Sequence, residues 1–344
     1  MKVLVFGAGA IGLYIGGSLA GAGHTVTFIA RPQAAEAIRG AGVRLREKAE
    51  EKIVRNVSAV NSPAEALAAG PHDVVVFALK SYDTAAALAQ LREVTAAPPP
   101  LLCLQNGVDN EPDIAQAFGA ECVIAGTVTT AVSKAGAAEI VVERERGVGI
   151  ALGHPLSPRI VGALRHARLN ARAYPAAGPM KWSKMLTNLI GSATSAILDM
   201  PVAEVFADRR LFAVEVAALR ECLAVMRALS HSPVDLPGTP VRALALAVEH
   251  LPAWLSQPVL KRGVGAGRGG KMPSFHIDLH AARGKGKTEV RWLHGAVARY
   301  GTERGVPTPV NQTLTDSLEA LSAGQLRKED FRRRPEALLR LING

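Results

Sequence analysis

Lys184, Asn188 and Ser192 stand four residues apart in a stretch whose apolar residues, Leu186, Leu189, Ile190 and Ile197, follow helical spacing. At i, i+4 and i+8 the three polar side chains are expected on one helix face, with Ser195 close by. A lysine, an asparagine and hydroxyls together suit the binding of a carbonyl group and protonation of its oxygen. A lysine desolvated in a cleft has a lowered pKa and becomes a usable general acid. A solvated polar face has the same spacing, so this chemistry needs support from elsewhere in the chain.

That support comes from the first twelve residues. An apolar run, Val3 to Phe6, runs into Gly7-Ala8-Gly9-Ala10-Ile11-Gly12, and helical spacing follows to Ala22. Strand, GxGxxG and helix in this order form a dinucleotide-binding turn. Gly7 allows the tight turn, Gly9 lets the backbone approach a pyrophosphate, and Gly12 lets helix and strand pack closely. The helix N-terminus then offers N–H groups and partial positive charge to the phosphates. A second strand, Thr25 to Ala30, ends without the carboxylate that would accept from a ribose 2′-OH; none appears before Glu36. Arg31 stands there instead, a cation suited to a 2′-phosphate. The expected cofactor is NADPH. Two further apolar strands end in polar residues, Lys80 and Gln105-Asn106-Gly107, where a doubly wound sheet presents functional groups.

The elements that position these residues divide the chain of 344 residues in two. Strand-like runs and helices alternate up to Ala171–Tyr174, including a helix from Ser157 to Ala167. Beyond Pro175-Ala-Ala-Gly-Pro179 the pattern is helical: 180–198, 209–230, 241–250, 290–304 and 310–322. The expectation is a doubly wound Rossmann-type α/β domain over 1–175 and an all-helical domain over 179–344. Ligand is expected at the carboxyl ends of the strands, between the two.

With 48% hydrophobic residues and no run of eighteen apolar ones, the chain has material for substantial cores and no membrane span is expected. The N-terminus enters the first strand at once, so no signal peptide is expected. Three dispersed cysteines form no CxxC, and a cytoplasmic, reducing location is expected. Cys103 and Cys122 lie in apolar runs and read as buried thiols. His276 and His280 are spaced i, i+4, but no further ligand set accompanies them in the sequence, so no metal is expected. The net charge of +10 clusters at 261–271, 283–287 and 327–334, yet aromatics are only 4% and Phe331 alone falls within these runs. A stacking platform for nucleic acid is therefore absent, and the charge reads as steering of anionic ligands.

Taken together, these residues resemble the ketopantoate reductase (2-dehydropantoate 2-reductase) family over nearly the whole chain. The resemblance rests on Gly7 to Gly12, Arg31, Lys80, Gln105-Asn106-Gly107-Val108, Lys184-x-x-x-Asn188 and Ser274…Asp278…Thr288-Glu289. It implies NADPH-dependent reduction of 2-dehydropantoate to pantoate, in pantothenate and coenzyme A biosynthesis. By position, Lys184 becomes the general acid at the ketone oxygen, and Ser274 and Glu289 contact substrate. Asn106 and Asn188 orient substrate and the lysine, while Lys80 and Arg31 serve the cofactor. Three positions depart from the family: Ser192 stands for a second asparagine, Arg291 for an aspartate, and His294 for the asparagine before Gly295. These touch substrate contacts more than hydride transfer. The rival readings are a reductase of a different 2-keto acid and a non-catalytic NADPH sensor; Lys184, Asn188 and Glu289 argue against the sensor, which does not need them. A homodimer through the helical domain is expected by analogy with the class.

Overall fold

The computed structural model describes residues 1–48, 50–252, 255, 257–258, 260, 272–280 and 286–343. The basic stretch 261–271, the glycine-rich stretch 263–270 and residues 283–285 of the second basic cluster lie outside the described residues. The chain divides into two compact units, 1–181 with 236–239, and 182–235 with 240–344.

In chain order the first unit holds β1 (Lys2–Phe6), α1 (Ala10–Gly21), β2 (Thr25–Ile29), α2 (Pro32–Ala41), β3 (Val43–Glu47), β4 (Glu50–Val54), β5 (Val57–Val60), α3 (Pro63–Ala68) and β6 (Val74–Phe77). It continues with α4 (Thr84–Val94), β7 (Leu101–Cys103), α5 (Asn110–Phe118), β8 (Val123–Val128), β9 (Ala131–Gly136), β10 (Glu139–Arg144), β11 (Val148–Ala151), α6 (Ser157–His166), β12 (Ala171–Tyr174) and the start of α7 (Ala177–Leu189). Eight strands form one sheet in the order β12-β11-β8-β7-β6-β1-β2-β5, parallel except where β11 meets β8. Both faces are buried, which explains the near-continuous apolar runs. Val3 and Val5 of β1 pack on one face with Leu13 and Leu19 of α1, Ile38 of α2 and Leu164 of α6. Leu4 and Phe6 pack on the other with Leu88 and Leu91 of α4 and Ile114 of α5. The strand order reverses between β1 and β6, and the turn after β1 therefore opens at a topological switch point.

The strand-like run Glu139–Val142 falls in β10, but the second sheet that holds it, β4-β3-β10-β9, and β5 are absent from the sequence expectation. β3 alternates over only Val43 to Arg46, and β4 opens with the charged run Glu50-Glu51-Lys52, so neither strand stands out. Cys122 is only half-buried, whereas Cys103 is fully enclosed, so the expectation of two buried thiols holds for one.

The second unit continues α7 with α8 (Ser192–Leu198), α9 (Val202–Val205), α10 (Arg209–Ala228), α11 (Val241–His250), α12 (Ser274–His280), α13 (His294–Glu303), α14 (Pro309–Ser322), α15 (Lys328–Phe331) and α16 (Pro335–Asn343). The Asp208 side chain accepts from the Arg210 and Leu211 N–H groups and starts α10. The helix expected over 180–198 is two helices. Gly191 adopts a left-handed conformation (φ 59°), and its N–H donates to the buried Glu215 carboxylate at 2.6 Å. Among the described residues, no helix is long and apolar enough to cross a membrane.

Candidate functional site

The glycine turn has the geometry its sequence requires. Gly7 sits at φ 110°, closed to residues with a side chain, and a Cβ on Gly12 would lie 1.8 Å from the Gly7 carbonyl oxygen. Helix and turn approach that closely only without side chains. No side chain caps α1 and no carboxylate occupies its first turn, so its leading N–H groups are left for a ligand. Arg31 is exposed at the start of α2.

Lys134, which the sequence reading missed, reaches the same turn. From β9, its Nζ donates to the Ala8 carbonyl at 2.8 Å across 126 residues of chain. Its ammonium is pushed below the ordinary lysine range, first by burial and then by the nearby Arg31 charge. Lys134 at the glycine turn and Arg31 at the start of α2 thus add positive charge on this side of the sheet. Nothing local in the sequence marks Lys134, because the second sheet delivers it.

Lys80 and Asn106 stand in the loops after β6 and β7. Ser81 Oγ donates to the Asn106 carbonyl at 3.1 Å, and Asn110 Nδ2 donates to it at 2.7 Å. Gln105 Nε2 donates to Thr84 Oγ1 at 2.8 Å, and that hydroxyl donates to Asn110 Oδ1 at 2.9 Å. The Asn106 backbone is thus fixed from two sides. Below it lies a second residue the sequence did not reveal. Lys181, 5% exposed, is 2.7 Å from Glu111 and 2.8 Å from the Gln105 carbonyl, with the Gly126 carbonyl at 3.4 Å. The ammonium donates to two backbone carbonyls and pairs with one carboxylate. Burial alone would lower the Lys181 pKa, but the Glu111 carboxylate outweighs it and the net direction is upward. In sequence Glu111 looks like an ordinary first-turn acid of α5.

In the second unit, Lys184 and Asn188 lie half-buried on α7, while Met185, Leu186 and Leu189 are buried. Ser192 does not continue their face as expected, because the chain turns at Gly191 and Ser192 opens α8. Its hydroxyl is 3.0 Å from the Leu189 carbonyl and 3.2 Å from His294 Nε2, two acceptors sharing one proton. His294 Nδ1 lies 2.8 Å from Asn311 Oδ1, and Asn311 Nδ2 donates to Ala218 O and Glu221 Oε2. Two of the three family departures, Ser192 and His294, therefore touch. The third, Arg291, forms an exposed ion pair with Glu319 at 2.9 Å. Glu289 is buried and precedes a short 3-10 turn over Val290–Trp292; it does not start a helix as expected, since α13 begins at His294. Ser274 is exposed as the first residue of α12.

Burial pushes the His294 pKa down to about 4. An unfolded chain takes up this proton below about pH 6.5, whereas the folded one resists it, so the stability from the neutral ring is complete above pH 6.5 and lost as pH falls toward 4. Over that window wild type is expected to lose on the order of 3 kcal/mol more than His294→Asn, measured as the difference between their denaturation free energies against pH. Parallel curves would refute it.

The family model for the ketopantoate reductase PanE/ApbA matches residues 3–154, and the model for the C-terminal part of that family matches 178–322. A 2-dehydropantoate 2-reductase of Halobacterium salinarum is 29% identical over 328 residues, 92% of this chain and 97% of that one. A solved PanE/ApbA family ketopantoate reductase from Ralstonia eutropha JMP134 has a TM-score of 0.79 at 29% identity, covering 94% of this chain and 99% of that one. A D-mandelate dehydrogenase solved with NADH and anilino(oxo)acetate shares the fold, with a TM-score of 0.76 at 20% identity over 94% of this chain and 99% of that one. A Rossmann-type unit with its glycine turn, a helical unit carrying Lys184 and Asn188, and two family models spanning both lead to one conclusion: the chain belongs to the ketopantoate reductase family of dinucleotide-binding oxidoreductases.

Proposed function

We propose that this chain reduces 2-dehydropantoate to pantoate with NADPH. The observation that carries the cofactor reading is the pair of cations, Arg31 and Lys134, beside a glycine turn whose second strand ends without a carboxylate. The substrate reading rests on the family models and on relatives named for that reaction. Gly7 to Gly12 and the α1 N-terminus would hold the pyrophosphate, Arg31 and Lys134 the 2′-phosphate, and Lys80 and Asn106 the remainder of the cofactor site. The bound cofactor supplies hydride to the carbonyl carbon. Lys184 donates a proton to the oxygen, so that ketone, hydride and proton become a secondary alcohol. Asn188, one turn from Lys184, orients the ammonium and the substrate oxygen, and Ser274 and Glu289 contact substrate. Ser192 acts through His294.

Lys134→Met is expected to raise KM for NADPH by about 10- to 100-fold, the worth of a charged hydrogen bond, while leaving KM for NADH nearly unchanged. Equal weakening of both cofactors would remove Lys134 from the 2′-phosphate. The overall proposal is tested by NADPH oxidation against a panel of 2-keto acids that includes 2-dehydropantoate. A second reading, reduction of a different 2-keto acid, is favoured by the Ser192–His294 pair in place of two asparagines. The same panel separates the two, and cofactor binding with no turnover on any keto acid would leave only the sensor.

A further inference from the structure

We propose that Asp199, His276 and His280 bind a single first-row transition cation of the zinc class. The sequence offers two histidines one helical turn apart and no third ligand. The fold supplies it. Asp199 follows α8 in a left-handed conformation (φ 49°) and faces α12, so that the three residues each bring one ligand atom to within 4.8 Å of the others. His276 Nε2 is 2.6 Å from Asp199 Oδ1, and the two imidazoles stack with centroids 4.5 Å apart.

The surrounding contacts are those a metal site uses. A ligating histidine commonly donates its second ring N–H to a carbonyl, which fixes the tautomer. His280 Nε2 lies 2.7 Å from the Ala196 carbonyl, an acceptor only, so its other nitrogen keeps a lone pair. Arg332 Nε holds Asp199 Oδ2 at 3.1 Å and leaves Oδ1 toward His276. The hydrogen bond from His276, more than any other influence, keeps the Asp199 carboxyl below its usual range, and burial keeps His280 below its own. Metal binding would displace the proton of the His276–Asp199 hydrogen bond.

Bonds of about 2.0–2.2 Å place ligand atoms roughly 3.5 Å apart, so the His276–Asp199 pair at 2.6 Å opens, and separations of up to 4.8 Å shrink, each by about an ångström of side-chain rotation. Two imidazoles and one carboxylate select Zn²⁺, Cu²⁺, Ni²⁺ or Co²⁺ over Mg²⁺ and Ca²⁺. The adjacent Arg332 and Lys328 cations hold the affinity below that of a thiolate site. Such an ion would bolt α12, which opens with Ser274, to the end of α8, which opens with Ser192.

The test is titration of tag-free, chelator-stripped full-length protein with Co²⁺, read by its visible absorption, and with Zn²⁺, read by calorimetry. One equivalent is expected, with no comparable Mg²⁺ binding. His276→Ala and His280→Ala are each expected to weaken binding by about 100-fold or more, and Asp199→Asn by at least about 10-fold. His250→Ala, at an exposed histidine, should leave it unchanged. Near-ultraviolet circular dichroism checks that each variant is folded. If an alanine variant fails this check, Asp199→Asn decides. Absence of saturable Co²⁺ binding, or binding unaltered in the folded variants, overturns the proposal.

Discussion

Replacing Lys184 with alanine is expected to lower kcat by about 10²- to 10⁴-fold, the usual contribution of a positioned proton donor. Lys184 lies half-buried on α7, one turn from Asn188, with Met185 and Leu186 buried beside it. The loss should fall on kcat, because proton donation matters most where negative charge develops on the substrate oxygen. NADPH affinity, measured by fluorescence titration, should stay within a few-fold of wild type. Activity within a few-fold of wild type would remove the general-acid role from Lys184.

The second large effect concerns stability. Lys181→Met is expected to cost about 3–5 kcal/mol in denaturant unfolding, because it strands a buried Glu111 carboxylate and leaves the Gln105 and Gly126 carbonyls without their donor. The double variant Lys181→Met, Glu111→Gln should recover much of this, since the stranded charge is gone. If the double variant were as unstable as the sum of its single variants, the pair would not be coupled. The raised Lys181 pKa keeps the ion pair intact through neutral pH; its contribution fades only at alkaline pH, as the ammonium deprotonates.

What the sequence reveals depends on how far each signal travels. The turn from Gly7 to Gly12 is a local device, and its strand, glycines and helix were all legible. So was β12 over Ala171–Tyr174. Lys134 and Lys181 were not, because each acts on backbone carbonyls that are remote in sequence. Asp199 meets His276 across 77 residues. The break at Gly191 escaped notice because apolar spacing continues through it, and one left-handed residue together with the Glu215 carboxylate decides the matter. The sheet β4-β3-β10-β9 was only partly legible, because β3 is short and the edge strand β4 opens with three charged residues.

The contact between Ser192 and His294 couples substitutions at the two positions. Each position meets the other, and His294 also engages Asn311, which is tied to Glu221. Restoring asparagine at one position alone would confront a partner shaped for serine or for histidine. The pair is therefore expected to be epistatic: single reversions should be worse than the double, and intermediates along either order of substitution should be disfavoured. A library that varies positions 192 and 294 together is therefore expected to hold more stable variants than one that samples them singly, read by denaturation midpoints.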